Sequence, residues 1–185
     1  MKRNVLILGG AMLITASLAV LLYVFSPLIS FYALPRPAAA ASDMLPSGKA
    51  GGNLQPTGNR LLIPKIGVDI EIAEGDNSSA LDRGAWHDPG SADPGEKANI
   101  VMSGHRFRFL PPNNKTFYLL DKLERGDAIT VLWQAKKYEY KVDRVFGVAP
   151  NDTSILARGR EEKLTLYTCT PLFTQDRRLV VVAKP

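Results

Sequence analysis

The stretch Leu164-Thr-Leu-Tyr-Thr-Cys-Thr-Pro171 contains the single cysteine of the protein and predicts a strand of its central sheet. Leu164 and Leu166 alternate with Thr165 and Tyr167, which is the two-residue period of a half-buried strand. The pair Thr170-Pro171 ends this pattern. Cys169 should therefore lie where a rigid strand meets a loop, a place where reactive side chains are commonly presented.

Short apolar segments separated by turn residues recur along the rest of the chain. Strand patterns occupy residues 61–66, 68–73, 99–103, 128–133, 138–142 and 179–183. Brief helical turns are expected near 77–81 and 116–123, and residues 84–95 have the composition of a long loop. This succession is typical of a β-sandwich or barrel rather than of βαβ units. The sequence thus predicts an all-β domain over residues 60–185.

The composition favours a globular domain without a nucleic-acid partner. The protein has 185 residues, of which 45% are hydrophobic and 22% charged. Its net charge of +5 comes from 23 basic residues dispersed among 18 acidic ones. No basic block or aromatic RNA-binding signature accompanies them, so the charges indicate a solvated mixed surface.

The amino terminus predicts a membrane anchor. Lys2 and Arg3 precede the stretch from Val5 to Leu34, which has no charged side chain. A spanning helix needs about 20 apolar residues, whereas the apolar region of a cleaved signal peptide has about 7 to 15. We therefore expect a retained anchor, although Ala38-Ala-Ala-Ala41 resembles a cleavage site. The basic tip places the N-terminus in the cytoplasm and the rest outside.

Three regions follow from these patterns. Residues 1–34 form the cytoplasmic tip and transmembrane anchor, and residues 35–59, rich in Pro, Ala, Gly and Ser, form an extended extracytoplasmic stalk. Residues 60–185 form the globular domain.

A lone cysteine in an exported domain cannot form an internal disulfide. Cys169 is therefore either a reactive thiol or a buried small hydrophobe.

Chemistry at Cys169 would need partners, because a thiol with a reference pKa of about 8.5 is mostly protonated at neutral pH. His105 ends a predicted strand and is the candidate acid or base, whereas His87 lies in a Pro/Gly-rich loop and is expected to be structural. Arg178 opens the last strand, where a guanidinium could stabilise an oxyanion. Each could instead be an ordinary surface residue or a charge that limits aggregation. One cysteine and two histidines offer no paired metal-ligand spacing.

Three ordered motifs resemble the sortase family of cysteine transpeptidases. They are Ser103-Gly-His-Arg106, Thr165-Leu-Tyr-Thr-Cys169 and Arg178-Leu-Val-Val-Val-Ala183. The resemblance covers the whole domain. It implies a closed eight-stranded sortase-type β-barrel with short helical turns, preceded by an N-terminal transmembrane helix. The barrel would lie outside the cell membrane, in a Gram-positive-type envelope.

The resemblance also implies a reaction. Cys169 would attack the Thr-Gly bond of an LPxTG-like sorting signal and form a thioacyl-enzyme, and His105 would act as general acid and base. The acceptor would be an amine of a peptidoglycan precursor or a pilin. Arg178 would stabilise the oxyanion and hold the signal peptide, with Arg177 as a competitor for that role. Thr168 and Arg177 are the expected substrate-binding residues. No cofactor is implied; calcium occurs in some relatives, but the acidic residues here form no diagnostic cluster.

Two alternatives remain open at this point. The domain could be a non-enzymatic β-domain that binds envelope peptides and buries Cys169, or a cysteine hydrolase that transfers the acyl group to water. The subfamily is also unresolved between a class C-like and a class D or E-like member. The chain ends at Pro185 without a second apolar segment, which favours class D or E.

Overall fold

The chain folds as a closed eight-stranded β-barrel preceded by two apolar helices. The computed structural model describes residues 2–33, 58–108 and 115–185, with side chains from residue 7 onward. The helices are α1 (Lys2–Val24) and α2 (Ser26–Ala33). The strands are β1 (Arg60–Ile63), β2 (Val68–Ala73), β3 (Ala85–His87), β4 (Asn99–Ser103), β5 (Ala128–Trp133), β6 (Lys136–Val148), β7 (Lys163–Thr170) and β8 (Arg177–Lys184). Short 3-10 turns connect some of them: Pro64–Ile66, Ser78–Asp82, Leu120–Lys122 and Thr153–Leu156.

The strand order around the barrel is β1-β2-β3-β4-β7-β8-β6-β5, and β5 pairs with β1 to close it. The pairs β2–β3 and β4–β7 are parallel, and the other neighbours are antiparallel. The predicted closed barrel is confirmed. The parallel β4–β7 pair matters most, because it joins strands that are far apart in sequence.

The alternating residues of β7 and β8 separate an inner from an outer face. Leu164 and Leu166 are fully buried in the core together with Val181 and Ala183. Since successive side chains of a strand point to opposite faces, the intervening residues, Cys169 among them, lie on the outside of the barrel. Burial of the inner set is the main stabilising contribution, at about 25 cal/mol per Å² of apolar surface.

Two elements differ from the sequence prediction. Residues 84–95 were expected to be a loop, but β3 occupies Ala85–His87 and pairs in parallel with β2. Gly84 allows this close approach, because a Cβ there would lie 2.1 Å from the carbonyl oxygen of Glu71. A three-residue strand is too short to show an alternating pattern. β6 is also one long strand, in which a register shift between Val142 and Arg144 interrupts the alternation.

The predicted apolar anchor consists of two helices. Within the described residues, α1 is long and apolar enough to cross a membrane, and its segment Ile7–Val24 is exposed. The break between the two helices is at Phe25, two residues before Pro27, whose ring has no N–H to donate to the preceding turn and clashes with it. α2 packs Leu28 and Phe31 against the barrel. The predicted stalk, apart from residues 58 and 59, lies outside the described residues.

Candidate active site

The strand register brings Cys169, Arg178 and His105 to one end of the outer face. Cys169 is the direct partner of Arg178 in the antiparallel β7–β8 ladder. Side chains of directly paired residues point to the same face, so the thiol and the guanidinium are neighbours. The parallel β4–β7 ladder pairs Ser103 with Tyr167 and continues with a bond from Gly104 N to Tyr167 O of 3.2 Å. His105 therefore emerges beside Cys169.

Cys169 is a free, partly exposed thiol at the end of β7. Its strand neighbours on the outer face are Tyr167 and Thr165, and Thr168 lies on the opposite, buried side. A partly exposed cysteine between a histidine and an arginine is accessible to a reactant, whereas a structural cysteine is usually fully buried.

The backbone around His105 is fixed by close packing. A Cβ on Gly104 would lie 2.8 Å from the ring of Phe117, so glycine is required for the contact that turns the chain out of β4. Phe117 N donates to the carbonyl oxygen of His105 at 2.8 Å. Thr168 Oγ1 donates to the carbonyl oxygen of Gly104, also at 2.8 Å. These contacts explain the spacing of the serine, glycine and histidine in the motif.

Thr168 therefore has a different contact from the one predicted. Its side chain is 2% exposed and its hydroxyl bonds to the backbone before His105. The expected contact with a bound peptide stays a prediction. In the structure, Thr168 links the cysteine strand to the histidine segment from the inner side.

Arg106 anchors the same segment. Its guanidinium forms an ion pair with Asp121 at 2.7 Å, and its side chain is 10% exposed. Burial lowers the pKa of Arg106, and the nearby Asp121 carboxylate opposes that shift. Because Asp121 lies in the 3-10 turn Leu120–Lys122, the pair connects the histidine segment to a second fixed element.

Asp82 contacts His105 and was not identified from the sequence. Its Oδ1 lies 3.2 Å from His105 Nε2, and also 3.2 Å from Arg108 Nη2. Asp82 ends the 3-10 turn Ser78–Asp82, whose first turn is capped by the Asn77 side chain. The side chain is 54% exposed, so solvent screens both interactions. The sequence indicated the turn but gave no sign that it faces the histidine.

Arg178 and Arg177 point to different places. Arg178 lies across from Cys169, and its Nη1 donates to the carbonyl oxygens of Gln175 at 3.2 Å and Arg177 at 3.1 Å. Arg177 pairs with Thr170 and donates to Gly147 O at 3.4 Å. Neither arginine forms an ion pair with a carboxylate of the described residues. The positive charge beside the thiol is therefore available to an anion.

A pocket lies farther along the same outer face, and the sequence did not predict it. It has a volume of about 380 Å³ and is formed by β6, β7, β8 and the 3-10 turn Thr153–Leu156. Its lining residues are Arg144, Phe146, Ser154, Ile155, Lys163, Thr165 and Val182. We call it the distal pocket. Thr165 precedes Cys169 on β7, and at about 3.3 Å per residue the two lie about 13 Å apart.

His87 lies on β3 and packs inside the protein. Its Nε2 is 3.0 Å from Ala92 O and 3.1 Å from Ser91 Oγ, and its ring packs edge-on against Trp133. These contacts agree with a structural role.

Across the described ranges, no group of three or more His, Cys, Asp or Glu side chains is placed to hold a metal ion. Calcium dependence stays untested.

Comparisons with known proteins identify the family. The Sortase domain model matches residues 61–185. Sortase D of Bacillus subtilis is 33% identical over 68% of this chain and 57% of its own length, and Sortase SrtE1 of Streptomyces coelicolor is 33% identical over 95% and 55%. The chain thus spans a little over half the length of these relatives.

A solved structure agrees with both relatives. The Clostridium perfringens Sortase D5 transpeptidase is 33% identical over 68% of this chain and 76% of its own, with a TM-score of 0.60. The fold, the family model and the identities of the relatives therefore lead to one conclusion: this chain belongs to the sortase family.

Proposed function

We propose that this protein is a cysteine transpeptidase that cleaves an LPxTG-like sorting signal and transfers the acyl group to an amine. The observation that carries the proposal is the arrangement of Cys169 directly across from Arg178 and beside His105. It supplies a nucleophile, a proton donor and acceptor, and a fixed positive charge on one accessible face. Family membership supports the same reaction class.

In the first step, Cys169 Sγ passes its proton to His105 and attacks the carbonyl carbon of the threonine in the signal. Negative charge develops on the carbonyl oxygen, where Arg178 stabilises it. The carbon–nitrogen bond then breaks, and His105 gives a proton to the departing glycine nitrogen. The products of this step are a thioacyl-enzyme and a released peptide tail.

In the second step, an amine attacks the thioester carbonyl carbon. His105, now neutral, accepts a proton from that amine, and the carbon–sulfur bond breaks to return the Cys169 thiolate. The new amide joins the substrate protein to the acceptor. We assign the acceptor to the class of cell-envelope or pilin amines, as the resemblance implies.

The substrate peptide would lie along the outer face between Cys169 and the distal pocket. An extended peptide of about four residues spans the same 13 Å as the strand beneath it. The acyl part of an LPxTG-like signal therefore has a length that reaches the pocket when its threonine is at Cys169. Phe146, Ile155 and Val182 give the pocket an apolar wall that suits the leading aliphatic residue.

We also propose that α1 anchors the protein in the cell membrane as a single span, with a cytoplasmic N-terminus and an extracellular barrel. Its exposed apolar surface supports this placement. Lys2 and Arg3 at its start support the orientation.

Incubation of the full-length protein in detergent with LPxTG-like peptides and candidate amines tests the function. Mass spectrometry should detect a thioacyl adduct on Cys169 and a peptide–amine product. An adduct that yields only the free acid, whatever amine is added, would indicate a hydrolase. Peptide binding without any adduct would indicate the non-enzymatic domain, although the partial exposure of Cys169 argues against it.

Replacement of Arg178 by Ala should lower kcat/KM by roughly 10²- to 10³-fold, which is typical for the loss of an oxyanion donor. Arg177→Ala is the matched control, because it removes the same charge one residue away on a side chain that does not face Cys169. We expect less than a fivefold change there. Equal losses in both variants would show that general positive charge, rather than the position of Arg178, is what the reaction needs.

Replacement of Thr168 by Val should destabilise the barrel by about 1–2 kcal/mol, because it leaves the buried Gly104 carbonyl without its donor. Valine has nearly the same shape, so packing changes little. Thr168→Ser keeps the hydroxyl and should retain most of the stability. Urea unfolding measures the difference; unchanged stability in the valine variant, with a raised KM, would favour the predicted peptide contact.

A further inference from the structure

The distal pocket contains two positive charges without a carboxylate partner. Arg144 and Lys163 both line it, and neither forms an ion pair with the described residues. Several other basic side chains of the barrel are paired, for example Arg60 with Asp69 and Lys65 with Asp127. Arg144 is exposed and Lys163 is half-buried, so both charges are accessible to a ligand in the pocket.

Three acidic residues lie within two positions of the pocket residues Ser154 and Lys163 in the sequence, and each makes another contact. Asp152 accepts a hydrogen bond from Ser154 N, and Glu162 accepts one from Tyr140 Oη. Glu161 lies 3.9 Å from Lys184. None of these carboxylates forms an ion pair with Arg144 or Lys163, so the two cations of the pocket lack a carboxylate partner among the described residues.

The geometry of the pocket combines charge with apolar surface. The Arg144 guanidinium lies 5.2 Å from the centre of the Phe146 ring, an arrangement that holds the charge over an apolar wall. Lys163 is partly buried on β7, next to Thr165. An occupant that satisfies both features has an aliphatic side chain and, next to it, a carboxylate.

We propose that the distal pocket selects substrate proteins that carry an acidic side chain just before the sorting signal. This inference rests on the proposed function and adds a specificity that the apolar residues of the signal do not supply. The leading aliphatic residue would contact Phe146, Ile155 and Val182. The one or two residues before it would then reach Lys163 and Arg144, where a carboxylate would neutralise positive charge.

The test uses full-length protein and three peptides that share one cleaved LPxTG-like core and differ in the two preceding residues: Glu-Glu, Gln-Gln or Lys-Lys. We expect kcat/KM to be roughly tenfold higher for Glu-Glu than for Lys-Lys at low ionic strength. The difference should lie in KM, because the contact is the same before and during the reaction. It should shrink in 1 M salt.

Charge reversal provides the decisive comparison. The double variant Arg144→Glu with Lys163→Glu should prefer the Lys-Lys peptide. Lys136→Glu is the matched control: Lys136 is exposed at the far end of β6, and its replacement should leave the order of the three peptides unchanged. Equal kcat/KM for all three peptides in the wild-type protein, or an unchanged order in the double variant, would overturn the proposal.

Binding separates this inference from the proposed function. Fluorescence anisotropy with the Cys169→Ala protein measures peptide affinity without any reaction. A preference for Glu-Glu in binding, with no thioacyl adduct in the wild-type protein, would support the pocket and refute the transpeptidase. Adduct formation with no charge preference in binding would refute the pocket alone.

Discussion

The Cys169→Ala protein should form no thioacyl adduct, and its turnover of an LPxTG-like peptide should fall by at least about 10³-fold. Cys169 is the single cysteine of the chain, so no other thiol can replace it. The methyl group of alanine is smaller than the thiol at a partly exposed position, and the barrel should stay folded. Mass spectrometry and single-turnover kinetics measure the loss.

The same residue allows an independent measurement of reactivity. A thiol-alkylating reagent can modify only Cys169, and the labelling rate of the folded wild-type protein reports its accessibility and thiolate fraction. The Cys169→Ala protein should show no label and should unfold at nearly the wild-type temperature. Peptide cleavage at the wild-type rate by this variant would exclude Cys169 as the nucleophile.

Replacement of His105 by Ala should lower kcat by roughly 10²- to 10⁴-fold, the usual range for a general acid or base. In the proposed mechanism the imidazole protonates the leaving nitrogen, which is a poor leaving group without a proton. A matched peptide ester, whose oxygen leaving group depends less on protonation than an amide nitrogen, should therefore lose much less activity. An equal loss with amide and ester would mean that His105 acts through the thiolate or through binding instead.

The activity loss on replacement of Asp82, which contacts His105, can be compared with the loss in His105→Ala. Asp82→Asn keeps the shape of the side chain but removes the charge that faces His105 Nε2. Because the pair is exposed and Arg108 shares the carboxylate, we expect only a roughly two- to fivefold loss, in kcat rather than KM. A loss as large as that of His105→Ala would show that Asp82 has a direct part in proton transfer.

The parts of the fold with clear alternation were predicted correctly. Residues 164–170 and 179–183 lie in neighbouring strands, and Leu164, Leu166 and Val181 are buried in the core. The short strand β3 was missed because its pairing depends on Gly84 and on a partner strand that the local pattern does not reveal. The apolar N-terminal stretch was predicted to be one span, whereas it breaks at Phe25, just before Pro27, and α2 packs against the barrel.

The sequence alone determined that the protein has an all-β domain, an apolar N-terminal helix, and one cysteine flanked by ordered histidine and arginine motifs. Periodicity and residue chemistry are local properties, so they are visible without a structure. Only the tertiary structure decided which residues meet. The parallel β4–β7 ladder and the β7–β8 register set His105 and Arg178 around Cys169.

The same holds for the residues that the sequence did not indicate. Asp82 reaches His105 from another turn, and the distal pocket combines Arg144 of β6 with Lys163 of β7. Such contacts join residues far apart along the chain, and their distances depend on barrel closure rather than on any local pattern. The stretch from Leu164 to Pro171 contains the candidate nucleophile, whereas its surroundings come from β4, β8 and a separate turn that only the folded barrel brings to it.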